Sequence, residues 1–293
     1  MSDAALPRIG ARRRRRMMLP GLTLLALAAA VVLIPPLVGA GGNRVDLYTR
    51  LAAPSWAHPL GTDLLGRDLL LRLAEGGRVS LLVGFVAALA AAGLGTAIGL
   101  VAGYRGGRVD ALLMRVTDGV IALPLLPLLV VLAALDPAKL GLGALAQSDA
   151  LSLYRIIVLV ALVGWTTVAR LVRGATLSLK AQDFVRAAHA MGAGPLRVML
   201  VHILPNLAAP IIVATTLSVG EIILLESVLS FLGLGIAPPL ASWGSMLTGA
   251  QETIALAPQL GLYPGLLILV TVVACNFFGE GLRQTLDPRG ARE

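Results

Sequence analysis

Six stretches of this chain stay apolar for close to the length of a bilayer crossing, and that restricts the backbone to one class of structure. They run from Met17 to Val38, Val79 to Gly103, Leu112 to Leu135, Leu151 to Val172, Leu207 to Leu232 and Leu260 to Phe278. A hydrocarbon core of about 30 Å takes roughly 20 helical residues. Inside it every backbone N–H and C=O needs a partner within the protein, which a helix supplies to itself. The expectation is an all-α polytopic membrane protein with six transmembrane helices. Charged residues are only 14% of the 293, hydrophobic ones 57%, and mean hydropathy is +0.86. Soluble domains carry about 25% charge.

Arg12 to Arg16 precede the first run and resemble the n-region of a secretory signal. The apolar stretch that follows exceeds the roughly 7–15 residues of a signal h-region, so it reads as an uncleaved first span. Cationic loops stay on the cytoplasmic side. Placing the N-terminus inside puts most of the 24 Lys and Arg residues there, among them Arg105, Arg108, Arg115, Arg173, Lys180, Arg186 and Arg197. The chain then divides into a basic cytoplasmic N-terminus (1–16), a first transmembrane helix (17–40), an extracytoplasmic segment (41–78), a five-helix core (79–282) and a cytoplasmic tail (283–293). Pro205 and Pro210 are expected to shorten the long fifth run at its inner end.

Within the extracytoplasmic segment, Leu65, Leu69 and Leu73 recur at helical spacing, Asp68 and Arg72 stand four apart, Asp63 is placed to cap a helix and Gly76-Gly77 to end it. This predicts a short amphipathic helix. Further along, Pro238, Pro239 and Trp243 join two prolines to an aromatic ring on the outer side. They are candidate outer-face contacts, with packing at the membrane boundary as the plainer reading of Trp243.

Catalytic motifs are missing. A P-loop needs Gly-Lys-Ser/Thr, but the only lysines are Lys139 and Lys180, after Ala138 and Leu179. No Gly-x-Ser-x-Gly or His-Glu-x-x-His occurs, and the single cysteine, Cys275, permits neither a disulfide framework nor a cysteine-clustered metal site. A net charge of +8 with 4% aromatic residues and arginines beside apolar runs reflects membrane topology, not nucleic-acid binding. Asp118, three residues after Arg115, reads as half of an ion pair. Glu221 and Glu226 fall toward the outer half of their span with no role assigned.

The segment from Asp183 to Asn206 breaks the apolar pattern with cations, two histidines and a Gly-x-Gly-Pro. Phe184, Ala188 and Met191 share a face at i, i+4 and i+7, Ala187 and Ala190 are small, and Gly192 with Gly194-Pro195 stops the helix. A short amphipathic helix on the cytoplasmic side fits either a lipid surface or a protein partner.

Here the sequence resembles a known family. Ala187-Ala188, three residues, Gly192, nine residues and His202-Ile203-Leu204-Pro205 are similar to the EAA loop of permease subunits in binding-protein-dependent ABC importers. His58-Pro59-Leu60-Gly61-Thr62-Asp63 with Gly66-Arg67-Asp68, Leu229 to Gly235, Pro238-Pro239 with Ser242-Trp243-Gly244, and Leu286-Asp287-Pro288-Arg289 resemble the dipeptide, oligopeptide and nickel branch, in its C-type subunit. The resemblance implies the type I ABC importer permease fold in a bacterial or archaeal cytoplasmic membrane, with both termini inside. It further implies a second homologous permease subunit, two ABC ATPase subunits that carry ATP and Mg, and an extracytoplasmic solute-binding protein. This chain would hold no catalytic residue, cofactor or metal. Its ATPase-coupling loop, about 180–206, would use Phe184, Arg186, Ala187, Ala188, Met191, Gly192, His202, Leu204 and Pro205. Arg186 stands where that loop carries its eponymous glutamate, and His189 where arginine is frequent. Peptides are the implied solute, with nickel, glutathione or another small solute as the alternative.

Overall fold

The computed structural model describes residues 11–39, 42–134, 151–248 and 250–286. The expected tail beyond 286, the first ten residues and residues 135–150 lie outside them. Helix α1 spans Ala11–Val38, and a 3-10 turn at Leu47–Thr49 follows. Helix α2 is Leu69–Arg105, α3 is Gly107–Ala122, α4 is Leu125–Ala133 and α5 is Leu151–Lys180. Then come α6, Asp183–Ala190, α7, Pro195–Phe231, the short α8, Trp243–Leu247, and α9, Ala250–Thr253. Gln259–Leu286 forms α10. No strand occurs among the described residues, only an isolated bridge between Thr62 and Asp68. Five helices are long and apolar enough to cross a membrane, and six if the bent pair α3–α4 forms one span.

Three expectations need correction. The amphipathic helix does not stand apart from the second span. Asp68, not the expected Asp63, caps α2 by accepting the Leu71 N–H at 2.9 Å, Arg72 lies beside Asp63 and not Asp68, and Gly76-Gly77 lie inside the helix, not at its end. The boundary drawn at residues 78 and 79 therefore cuts a continuous helix of 37 residues, about 55 Å at 1.5 Å per residue. Glycine there provides space: a Cβ on Gly77 would lie 2.7 Å from the Trp243 ring. The third run is broken, with α3 and α4 bent by 86°. Leu123 is extended at φ −76°, ψ 136°, ahead of Pro124, the conformation a following proline imposes. The fifth run is not shortened by its prolines. Helix α7 passes through Pro205 and Pro210, and a π-helical turn at Val198–Ile203, with the Leu204 N–H donating to the Met199 carbonyl, takes up the irregularity before Pro205.

In α1, Pro35 and Pro36 have no N–H to offer the carbonyls four residues earlier. Those carbonyls, of Val31 and Val32, accept instead from Arg78 Nε at 2.6 Å and its second terminal nitrogen at 2.7 Å. A cation of α2 thus ties the first helix to the bundle.

Packing is organised around α2 and α5. Gly95, Gly99 and Gly103 recur at four-residue spacing, and a Cβ on any of them would press on the backbone carbonyl of Trp165, Ala169 or Arg173. Small residues at this spacing let two membrane helices meet backbone to backbone. A methyl-bearing residue here should separate them. We expect Gly99→Val to cost about 1–3 kcal/mol or more, read as a lower thermal midpoint of the detergent-solubilised chain. A midpoint equal to wild type would mean that α2 and α5 do not depend on this contact.

Candidate docking loop and concave face

At one end of the bundle α6 is folded back onto its own chain. Gln182 is extended at φ −77°, ψ 153°, turning the chain after α5. Gly192 closes the helix at φ +82°, with its N–H donating to the His189 carbonyl at 2.9 Å and the Ala193 N–H reaching the Ala188 carbonyl at 3.0 Å. This is a glycine-stopped helix terminus of the Schellman kind. Pro195 then starts α7.

The two faces of α6 differ from the expected division. Val185 and Ala188 are buried, in one cluster with Leu100, Tyr104, Val172, Val198, Ile203 and Leu207. Phe184, Ala187 and Met191, at i, i+3 and i+7, face outward, with Met191 80% exposed. Ala188 therefore does not belong with Phe184 and Met191 on a free stripe. The reason is tertiary: α2, α5 and α7 supply an apolar floor that takes the Val185–Ala188 side. Val185 is the i−3 neighbour of Ala188, but the i, i+4, i+7 spacing of Phe184, Ala188 and Met191 is equally helical and points to a different face.

The helix is held from α2 and α5 as well. His189 stacks on Tyr104 with ring centroids 6.3 Å apart, and its Nε2 lies 3.4 Å from the tyrosine hydroxyl. Lys180 donates to the Tyr104 carbonyl and sits 5.4 Å from the ring centroid. Arg186 pairs with Asp183 on the same exposed surface. Leu204 packs against the buried cluster and Pro205 is exposed, while the His202 carbonyl accepts from Asn206 Nδ2 at 2.7 Å. The nine loop residues thus separate into an inward anchor and an outward surface.

At the opposite end the chain after α7 doubles back. Gly233 turns at φ +78°, the Leu234 N–H donates to the Leu229 carbonyl at 2.9 Å, and Ser242 caps α8 in a reciprocal capping box with Ser245. Trp243 is fully buried, and its Nε1–H donates to the Leu73 carbonyl at 2.8 Å. The ring is enclosed within this chain, with Gly77 of α2 directly against it, so the side chain presents no outer-face contact. Pro238 and Pro239 are exposed, and the Pro239 carbonyl accepts from Asn43 Nδ2 at 3.0 Å.

Beneath this cap sits the buried carboxylate of Glu226. One oxygen accepts from Ser230 Oγ at 2.6 Å and Ser242 Oγ at 2.7 Å, the other from Ser80 Oγ at 3.4 Å. Each serine in turn accepts a backbone N–H, from Ile236, Ser245 and Trp243 respectively. Every hydroxyl proton is directed at Glu226, which joins α2, α7 and the returning segment.

A concavity of about 560 Å³ opens between the α3–α4 bend, α5 and α7. Ile121, Leu126, Val163 and Leu225 give it an apolar wall, and Thr167, Ser218 and Glu221 give it polar groups. Nearby, Asp118 pairs with Arg170 at 2.5 Å, not with Arg115, which is exposed. The partner across α3 and α5 is better placed than the neighbour one turn back. Asp110 similarly receives Arg173 through two bonds of 2.5 and 2.6 Å. A larger groove of about 1090 Å³ between α1, α2, α7 and α10 has no charged lining.

Residues 95–292 match the family described as binding-protein-dependent transport system inner membrane component. A putative peptide permease protein of Brucella suis is 40% identical over 272 residues, covering 92% of this chain and 86% of its own. A dipeptide transport system permease protein of Alkalihalophilus pseudofirmus is 37% identical over 92% of this chain and 84% of its own. A glutathione transport system permease protein of Pectobacterium atrosepticum is also 37% identical, over 92% and 85%.

Proposed function

Because the chain belongs to the family of binding-protein-dependent transport system inner membrane components, we propose that it forms one half of a peptide importer and is driven through α6. The observation that carries this is the two-sided helix: Val185 and Ala188 lock it to the bundle while Phe184, Ala187 and Met191 stay free. A surface fixed this way transmits displacement, since a push on α6 reaches α2, α5 and α7 without being absorbed by a loose loop. The free stripe is apolar and exposed on a polar-facing end, which suits a protein groove. In this reading it docks into an ATPase subunit, and ATP and Mg are bound on that partner. A second homologous permease completes the path, and an extracytoplasmic solute-binding protein delivers the solute. The membrane is the cytoplasmic one, with both termini and α6 inside.

The peptide assignment rests on the named functions of the relatives, among which the glutathione permease supports a small-solute reading beside it. Alternating access supplies the mechanism: closure of the ATPase pair moves the docked helices, and the spans tilt to open the path to the other side.

Topology is the direct test. With Cys275→Ser as background, a cysteine at Ala193 should escape a membrane-impermeant thiol reagent in intact cells, and one at Ala53 should be labelled. Reversed labelling would defeat the orientation. Transport by this chain alone in liposomes, without ATPase subunits, would defeat the importer reading.

A further inference from the structure

Glu221 is exposed on the membrane-length helix α7, and among the described residues nothing pairs with it. Its neighbours in sequence, Leu217, Val219, Ile222, Ile223 and Leu224, are those of a bilayer-spanning segment. An ionisable side chain facing hydrocarbon is strongly disfavoured and, within spans, turns toward water or a polar partner. The face that carries Glu221 is therefore not lipid-covered in the working assembly. The concavity there brings Thr167 and Ser218 to the same surface. Other acids on these helices are already engaged: Glu226 by three serines, Asp118 by Arg170 and Asp110 by Arg173. Glu221 remains available to a visiting cation.

We propose that Glu221 lines the solute path and receives the protonated amino terminus of the passing peptide. This rests on the peptide-importer reading and adds a specificity residue to it. The chemistry follows from what peptides have in common. Their side chains vary in size and charge, whereas the α-amino group, with a pKa of about 7.7–8.0, is cationic at neutral pH in all of them. One carboxylate set among hydroxyl groups and apolar wall can hold that group without reading the sequence behind it.

Two measurements on the complete transporter test this. With Cys275→Ser as background, Glu221→Cys should react with a water-soluble thiol reagent, while a cysteine at exposed Leu269 of α10, outside the concavity, should not. Absence of reaction at 221 throughout the ATP cycle would overturn the path assignment. Glu221→Gln should lower uptake of an unmodified dipeptide by at least about tenfold, the scale of one lost hydrogen bond to a charged group, with Glu221→Asp retaining most of the rate. Stimulation of ATP hydrolysis by the loaded binding protein should persist in both. Unchanged uptake in Glu221→Gln would refute the amino-group role alone. Loss of the second permease on co-purification of Glu221→Gln would replace it with an ion pair between subunits. Failure of wild type to take up any dipeptide would remove the peptide reading and, with it, this assignment.

Discussion

A tryptophan at Ala187 is expected to strip the ATPase subunits from the purified transporter and stop transport, while the permease itself unfolds at its normal temperature. Ala187 is exposed between Phe184 and Met191, so a large side chain there leaves the packing of this chain alone and would meet only the partner proposed to dock on α6. Overfilling a packed contact costs about 1–3 kcal/mol, occasionally more, and each 1.4 kcal/mol is about tenfold in affinity. The adjacent substitution behaves differently. Ala188 is buried against the floor formed by α2, α5 and α7, and Ala188→Trp should lower the thermal midpoint of the isolated chain before any partner is added. Gly192→Pro also damages the loop itself, since Gly192 sits at φ +82° and its N–H is donated to His189. Normal ATPase co-purification and transport in Ala187→Trp would take the docking role away from this helix.

Removing the carboxylate at Glu226 should cause the largest loss of stability among single changes near the cap. Glu226→Leu leaves Ser230, Ser242 and Ser80 without their acceptor in a buried site. An unpaired buried polar group costs about 1–3 kcal/mol, so the cap and α2 should separate from α7 well below the wild-type midpoint. Glu226→Gln keeps one acceptor oxygen and should recover part of the loss. Thermal unfolding of both variants in detergent, followed through the buried Trp243, measures the difference. Equal midpoints for Leu and wild type would show that the serines find other partners and that the carboxylate does not hold the cap.

Several of these features were legible beforehand and others were not. The end of α6 could be read from Gly192 because a glycine stop is made among neighbouring backbone groups, and its start from Asp183 as an acidic residue in the first turn. Asp63 was the expected cap of the helix before Gly76-Gly77, yet Asp68 caps it and the helix runs on through both glycines. Arg115 was the nearest cation in sequence to Asp118, yet Arg170 is the one that reaches it.

What the amino-acid sequence determined by itself is the class of structure: apolar runs of membrane length, the polar interruption at 180–206 and the turns that bound it. These follow from transfer of side chains into hydrocarbon and from local hydrogen bonding, which depend on a residue and a few neighbours. Only the tertiary structure decided which glycines are packing surface, which side of α6 is spent on the bundle, and which acid is buried. Glu226 is satisfied by Ser80, 146 positions away, and Trp243 by the Leu73 carbonyl, 170 positions away. Burial of a carboxylate or an indole is tolerable only when such partners are already in place, and their meeting is a property of how α2, α5 and α7 pack, which no local spacing encodes.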